Sequence, residues 1–301
     1  MQNKFLLWWK EIDRISFIFC ITLIFVGIVL SLTGTTETSI KKGFDSTHYI
    51  QRHLIFAILS ILLIIGFSLV NIKSIRRISA LGLIFSILLI IWVISFGNEI
   101  NGAKRWVQIY GFSIQPSEFL KPFFIVVSAW FITKGLEGKA YGFRIVSSLF
   151  LVSCFLLILQ PDFGMTMLFI IVFFGQLFIA GLSISLVIGL VIILITVLIL
   201  SYNYMDHVRV RFDSYISYLI DPSCDSCQIE QSIKAFKSGG IFGKGLGQGS
   251  WKERTPDSHT DFIFSIAGEE LGFIFCCIII FIFLILILRG LLKILKKRET
   301  Y

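Results

Sequence analysis

Eight stretches of this chain are each long and apolar enough to cross a bilayer, which takes about 20 residues as a helix. They run approximately over residues 15–34, 52–71, 77–96, 117–134, 143–161, 164–182, 184–203 and 262–288. With 56% hydrophobic residues, 31 of them Phe, and only 15% charged, the chain lies far outside the soluble range. An aqueous core has no place in such a composition. The expected fold is all-α: a polytopic transmembrane helical bundle of about eight spans, forming one membrane domain over 1–301. A large extracytoplasmic loop is expected over 203–261.

Charge orients the bundle. Lys4, Lys10 and Arg14 precede the first run, and Lys73, Arg76 and Arg77 separate the second from the third. Lys134, Lys139 and Arg144 separate the fourth from the fifth, and Arg289, Lys293, Lys296, Lys297 and Arg298 follow the eighth. Every second connection is therefore basic, which places both termini in the cytoplasm. The first run is too long for a signal-peptide core and lacks a small-residue cleavage site, so it reads as a retained span. Much of the net charge of +8 lies in these short clusters between apolar runs, and there is no soluble basic module for nucleic acid.

Some cations defy the inside bias. Lys104 and Arg105 fall in the outward connection 97–116, and Arg209, Arg211, Lys234, Lys237, Lys244, Lys252 and Arg254 fall in the long outer loop. Orientation does not need them there; an anionic ligand at the outer surface would. Within the loop, Ile229, Ile233 and Phe236 keep helical spacing, Glu230 can pair with Lys234, and Gly239-Gly240 is a stop. Such a helix either lies on the outer leaflet or packs on the span ends. The glycine-rich run 239–249 fails as a nucleotide-binding loop, because Ser238 stands where the first Gly is needed and Gly245 follows Lys244. A looser reading remains, in which glycines bring backbone N–H groups close to an anion.

Of six cysteines, Cys20, Cys154, Cys276 and Cys277 lie in apolar runs and read as small hydrophobes. Cys224 and Cys227 form a lone C-x-x-C, with only His207 near as a further zinc ligand, so a plain loop pair or a labile disulfide fits better.

Three polar groups flank the outward connections. The first is Lys104-Arg105-Trp106, leading to Gln115-Pro116-Ser117-Glu118 and Lys121. Pro116 and Ser117 mark a helix start, and Glu118 and Lys121 can pair on one face, as a buried pair between spans. Trp106 either stacks on a sugar or anchors the interface. The second is Gln160-Pro161-Asp162, where Asp162 reads as a helix cap or network partner. The third is Asp257, His259 and Asp261, followed by Glu269 and Glu270. Asp261 is the acid nearest both the outer cations and the bilayer surface, and is the candidate base. For Glu270 the expectation is a structural ion pair with an intramembrane Lys or Arg. Charged groups in lipid are costly, which makes each of these a candidate for function or for pairing.

These residues resemble the SEDS family of integral membrane proteins (shape, elongation, division and sporulation). The resemblance covers essentially the whole chain. It runs through Gly102-Ala103-Lys104-Arg105-Trp106, Gln115-Pro116-Ser117-Glu118 with Lys121, and Gln160-Pro161-Asp162-Phe163-Gly164. It continues through Gln231-Ser232 with Ser238-Gly239-Gly240, and through His259-Thr260-Asp261-Phe262-Ile263-Phe264 with Gly268-Glu269-Glu270-Leu271-Gly272. The stretch 243–252 looks more like the division branch than the elongation branch. The family usually has ten spans, so the expectation is a chain lacking the last two.

The resemblance implies a peptidoglycan glycosyltransferase in the bacterial cytoplasmic membrane, at the division septum. It would polymerise lipid II, an undecaprenyl-diphosphate-linked substrate, beside a class B penicillin-binding protein and other division proteins. Asp261 maps to the family's essential acid and Trp106 to its motif tryptophan. The reaction needs a base near a sugar hydroxyl and positive charge near the departing diphosphate. Asp261 fits the first; Lys104, Arg105 and Lys244 or Arg211 fit the second, with Trp106 and His259 as further substrate contacts. A divalent cation, Mg or Mn, often assists with diphosphates, but no ligand set is visible. A lipid II flippase would instead rely on Glu118, Lys121, Glu269 and Glu270, and a non-catalytic division scaffold on none of these.

Overall fold

The computed structural model describes residues 4–34, 48–97, 99, 104–109, 112–139, 141–160, 162–181, 228–251 and 262–298, with scattered positions between 188 and 213. It resolves into two compact units, 1–69 with 213–301, and 70–212.

The first unit holds α1 (Lys4–Glu11), α2 (Arg14–Gly34), α3 (His48–Ser68), α8 (Gln228–Gly239) and α9 (Ile263–Arg298). Here α2 packs on α3 and α9, and α8 packs on α9. The contact between them is closed by Leu30, Ala267 and Cys276, flanked by Val26, Phe236, Ile263 and Leu271. Asp13, between α1 and α2, ties the foot of α2 to α9. Arg289 donates to both its oxygens at 2.7–2.9 Å, and Lys293 sits 2.7 Å away. The Arg289 guanidinium holds the Asp13 carboxyl well below the usual carboxylate range.

The second unit holds α4 (Ile72–Phe96), a two-stranded hairpin of β1 (Val107–Ile109) and β2 (Phe112–Ile114), then α5 (Pro116–Leu136), α6 (Tyr141–Leu159) and α7 (Phe163–Ile179). Its helices face one another through regularly spaced positions. On α4 these are Ser79, Leu83, Ser86, Ile90 and Val93, three or four apart, while Leu81, Ile84, Phe85 and Leu88 face outward and stay exposed. An outer surface this apolar fits lipid, not water. Small serines let the helices approach closely. Between α5 and α7, Ser128 Oγ donates to Gln176 Oε1 at 2.6 Å and Gln176 Nε2 donates to the Ile125 carbonyl at 2.9 Å. Around Phe124 pack Phe150, Phe169 and Phe173, with ring centres 4.4–6.5 Å from it.

Six described helices are long and apolar enough to span a membrane, and a seventh apolar helix covers 164–179. The chain is a multi-pass membrane protein. The expected span 184–203 falls largely outside the described residues, as does the Cys224/Cys227 pair. Two features differ from expectation. The connection 97–116 carries the hairpin, which pairs Val107 with Ile114 and Ile109 with Phe112. And the last helix runs on to Arg298, ten residues past the expected end, because Leu291, Leu292 and Ile294 continue its apolar face between the basic residues.

Candidate functional site

In the second unit the chain brings Lys104-Arg105 and Gln115 against Gln160 and Asp162, 47 to 56 residues further along the sequence. Asp162 caps α7, accepting from the Met165 N–H at 3.3 Å, and its carbonyl accepts from Thr166 Oγ1 at 2.7 Å. Its carboxylate also accepts from Gln115 Nε2 at 3.0 Å and faces Arg105 at 3.7 Å. Gln115 stands just before α5, where Pro116 starts the helix at no hydrogen-bond cost. Arg105 Nε donates to the Gln160 carbonyl at 3.0 Å, and Gln160 Nε2 donates back to the Lys104 carbonyl at 3.2 Å. Both Gln160 and Asp162 are buried. The strand leading into β1 is thus clamped onto the α6–α7 turn.

That clamp commits Arg105 to Asp162. The Lys104 side chain makes no ion pair among the described residues, and Trp106 beside it is 37% exposed. Glu118 and Lys121 do pair, at 2.7 Å, but within α5, and the Glu118 side chain is 52% exposed. The pair therefore does not join spans. Pro116 sets the helix start, and Glu118 stands exposed in the first turn.

The first unit holds a second polar cluster. Glu269 is fully buried on α9, and its carboxylate is caged by donors. Oε1 accepts from Lys244 Nζ at 3.0 Å, Ser238 Oγ at 3.1 Å and the Ser250 N–H at 2.9 Å. Oε2 accepts from the Trp251 N–H at 3.1 Å. Glu269, the neighbour of the acid expected to pair, makes an ion pair with Lys244, a cation from the loop. Lys244, expected at a diphosphate, pairs with Glu269, with its own side chain 34% exposed. The anion that the glycine-rich loop surrounds is this carboxylate.

The same loop enters a break in α9. Gly272 has φ 82° inside an otherwise helical run. The break removes the two helical bonds that Phe273 and Ile274 would donate to Glu269 and Glu270. Four loop bonds replace them. The Lys244 and Gly245 N–H groups donate to the carbonyls of Glu269 and Glu270 at 3.0 and 2.9 Å. The Phe273 and Ile274 N–H groups donate to the carbonyls of Gly240 and Ile241 at 3.0 and 3.3 Å. Non-helical backbone is tolerated at membrane depth when protein satisfies it in this way. The approach is too close for side chains, since a Cβ on Gly272 would meet the Gly243 nitrogen and the Ile241 carbonyl. Upstream, α8 forms as its spacing predicts, with Glu230 and Lys234 paired at 2.7 Å, and it packs on α9.

His259 and Asp261 lie outside the described residues; α9 begins two residues after Asp261. No three His, Cys, Asp or Glu side chains gather to hold a metal among the described residues. They offer no ligand set for a divalent cation. Residues that sequence reasoning passed over are Glu269 as the paired acid, Gln115 as a bridge to Asp162, and Ser250 and Trp251 as donors. Glu269 lay in a motif already singled out; the backbone donors left no signal.

Fold and site define a polytopic membrane protein with buried polar clusters tying its connecting segments to its helices. The chain belongs to the FtsW/RodA/SpoVE family of cell cycle proteins, whose model matches residues 13–301. It is 34% identical over 297 residues to the probable peptidoglycan glycosyltransferase FtsW of Caulobacter vibrioides (strain NA1000 / CB15N), covering 98% of this chain and 75% of the relative. It is 31% identical over 311 residues to the protein of the same name from Geobacter metallireducens (strain ATCC 53774 / DSM 7210 / GS-15), covering 100% and 83%. Among solved structures, the rod shape determining protein RodA of Thermus thermophilus matches with TM-score 0.58 and 22% identity, over 91% of this chain and 72% of that one. A chain from a study of polymerization and crosslinking by a peptidoglycan synthase complex matches with TM-score 0.63 and 23% identity, over 91% and 75%. At such identities the two structures establish the fold.

Proposed function

We propose that this chain is a peptidoglycan glycosyltransferase of cell division that polymerises lipid II, with Asp261 as its base. One observation carries the activity: similarity along nearly the whole chain to proteins that bear that name. In the reaction a sugar 4-hydroxyl attacks C1 of a second sugar. The new C–O bond forms as the bond from C1 to the undecaprenyl diphosphate breaks, and the hydroxyl proton passes to the base. Asp261 precedes α9 at the head of a span, the position from which a carboxylate meets a polar head group while the lipid tail stays in the bilayer.

The geometry sharpens the choice of cation for the diphosphate. Lys244 is paired to Glu269 and Arg105 is clamped to Asp162, whereas the Lys104 ammonium is uncommitted among the described residues. Lys104 is therefore assigned to the leaving group, Arg105 to positioning the strand that carries Lys104 and Trp106, and Trp106 and His259 to the sugars. In this reading both termini are cytoplasmic, the chain lies in the inner membrane at the septum, and a class B penicillin-binding protein crosslinks its product. A divalent cation would enter, if at all, with the diphosphate, since the described residues supply no cage for one.

The test is polymerisation of labelled lipid II by purified protein, with and without the penicillin-binding partner. Asp261→Asn keeps the side chain's shape and removes its basicity, so polymer should fall by about 10²-fold or more while lipid II binding survives. Normal glycan synthesis by that variant would remove Asp261 as the base. No polymer from the wild type, with lipid II moved across vesicles, would make the chain a flippase; neither activity would make it a scaffold.

A further inference from the structure

At the basic ends of α4 and α5 the second unit carries a cavity of about 380 Å³ that the glycosyl transfer does not use. Its walls are apolar: Ile72 and Ile75 from the first turn of α4, and Ile125, Val126 and Ala129 from α5. Trp130 stands further along α5, and Arg76 and Lys134 close the mouth. From Ile125 to Lys134 the wall follows α5 for about 14 Å at 1.5 Å per residue. One carboxylate is present at the mouth, that of Glu137, and Lys134 already neutralises it at 2.6 Å. Arg76 and Lys139 act on the same carboxylate through their charge, and Lys73, Arg77 and Arg144 lie near the same helix ends in sequence, so cations outnumber carboxylates there.

An apolar slot along a helix, a tryptophan near its end and an excess of cations at its mouth suit one kind of molecule: an acyl chain below a phosphate. Basic pockets between spans are recognised sites for anionic head groups. Inside-positive charge alone orients a protein but needs no cavity. We propose that this cavity binds an anionic glycerophospholipid of the leaflet at the basic helix ends, with one acyl chain along α5 and the phosphate between Arg76 and Lys134. In the orientation given above this is the inner leaflet, opposite the site of polymerisation.

The test measures lipid retention by the full chain in native mass spectrometry, titrated with phosphatidylglycerol or, as the neutral comparison, phosphatidylethanolamine. Arg76→Gln with Lys134→Gln should weaken phosphatidylglycerol binding by about tenfold or more, since each cation near a phosphate contributes measurably. Val126→Trp, which fills the slot, should weaken it comparably with every charge kept. Lys73→Gln with Arg77→Gln removes as many cations from the same helix end but touches no cavity wall, and should leave binding within about twofold. Thermal midpoints of all variants verify that they fold. Equal loss from both charge pairs would reveal an unspecific basic belt and overturn the proposal. So would unchanged binding to Val126→Trp, equal retention of the two lipids by the wild type, or full displacement by glycerol phosphate alone.

Discussion

Replacing Glu269 should loosen the glycine-rich loop from α9, and the size of the effect follows from its cage. The carboxylate is 0% exposed and takes a lysine ammonium, two backbone N–H groups and two hydroxyls. Hydrogen bonds to charged groups contribute about 1.5–3 kcal/mol each, and removing one member of a buried ion pair costs about 3–5 kcal/mol. Glu269→Ala strands Lys244 and both backbone donors and falls in the upper range. Glu269→Gln keeps one acceptor oxygen but turns an N–H₂ toward the donors, so about 2–3 kcal/mol is expected. In a chain of this size that lowers the thermal midpoint by roughly 3–5 °C. Two measurements check it: thermal unfolding in detergent, and the rate of tryptic cleavage after Lys244. The loop opens locally before the bundle unfolds, so cleavage should accelerate at temperatures well below the midpoint. Adding Lys244→Gln to Glu269→Gln should cost less than the sum of the two single changes, because their coupling is a direct pair. An unchanged midpoint with unchanged cleavage in Glu269→Gln would refute the cage as a stabilising element.

Gly272→Ala places a Cβ against Gly243 and Ile241 at a positive φ, so a fall in midpoint larger than the usual 1 kcal/mol glycine penalty is expected, again with faster cleavage after Lys244. Asp162→Ala removes the α7 cap and the anchor of Arg105 together, about 2–4 kcal/mol, whereas Asp162→Asn keeps a capping oxygen and should cost roughly half as much by thermal unfolding. Asp13 is depressed by Arg289, so its contribution is complete above the ordinary carboxylate pKa and is lost as pH falls. The stability gap between wild type and Asp13→Asn should hold steady from pH 8 to about pH 5 and shrink below about pH 4; a gap that widens there would overturn the assignment.

The long spans were legible because hydrocarbon leaves little choice: apolar runs of bilayer length become helices. The α8 helix was legible from its own spacing and its Glu230–Lys234 pair. The hairpin was not, although Val107-Gln108-Ile109 and Phe112-Ser113-Ile114 alternate correctly around Tyr110-Gly111. Three-residue strands give too short a pattern to stand out in a chain dominated by helices. Asp162 could be read as a cap from its place before an apolar run. Its bond to Gln115 could not, because the two are 47 residues apart and only packing joins them. The break at Gly272 left the weakest trace, one glycine in a long apolar run, where a helical glycine is equally common.

The break also explains the composition of the glycine-rich loop. A helix interrupted in the membrane must return two amides and two carbonyls to hydrogen bonding, and here residues 240, 241, 244 and 245 provide the partners in matched pairs. That exchange demands backbone at contact distance, hence Gly243 opposite Gly272. It also brings Lys244 to the helix surface, and an ammonium carried into a packed interface needs a carboxylate, which Glu269 supplies one turn above the break. Glycines and a cation that read as an anion-binding loop are thus accounted for by the broken helix itself. The corollary bears on catalysis. On the proposed reaction, with Lys244 paired to Glu269 and Arg105 to Asp162, Lys104 is the cation among the described residues of the two motifs that makes no ion pair. Lys104→Ala should then depress polymerisation without moving the thermal midpoint, while Arg105→Ala should move both.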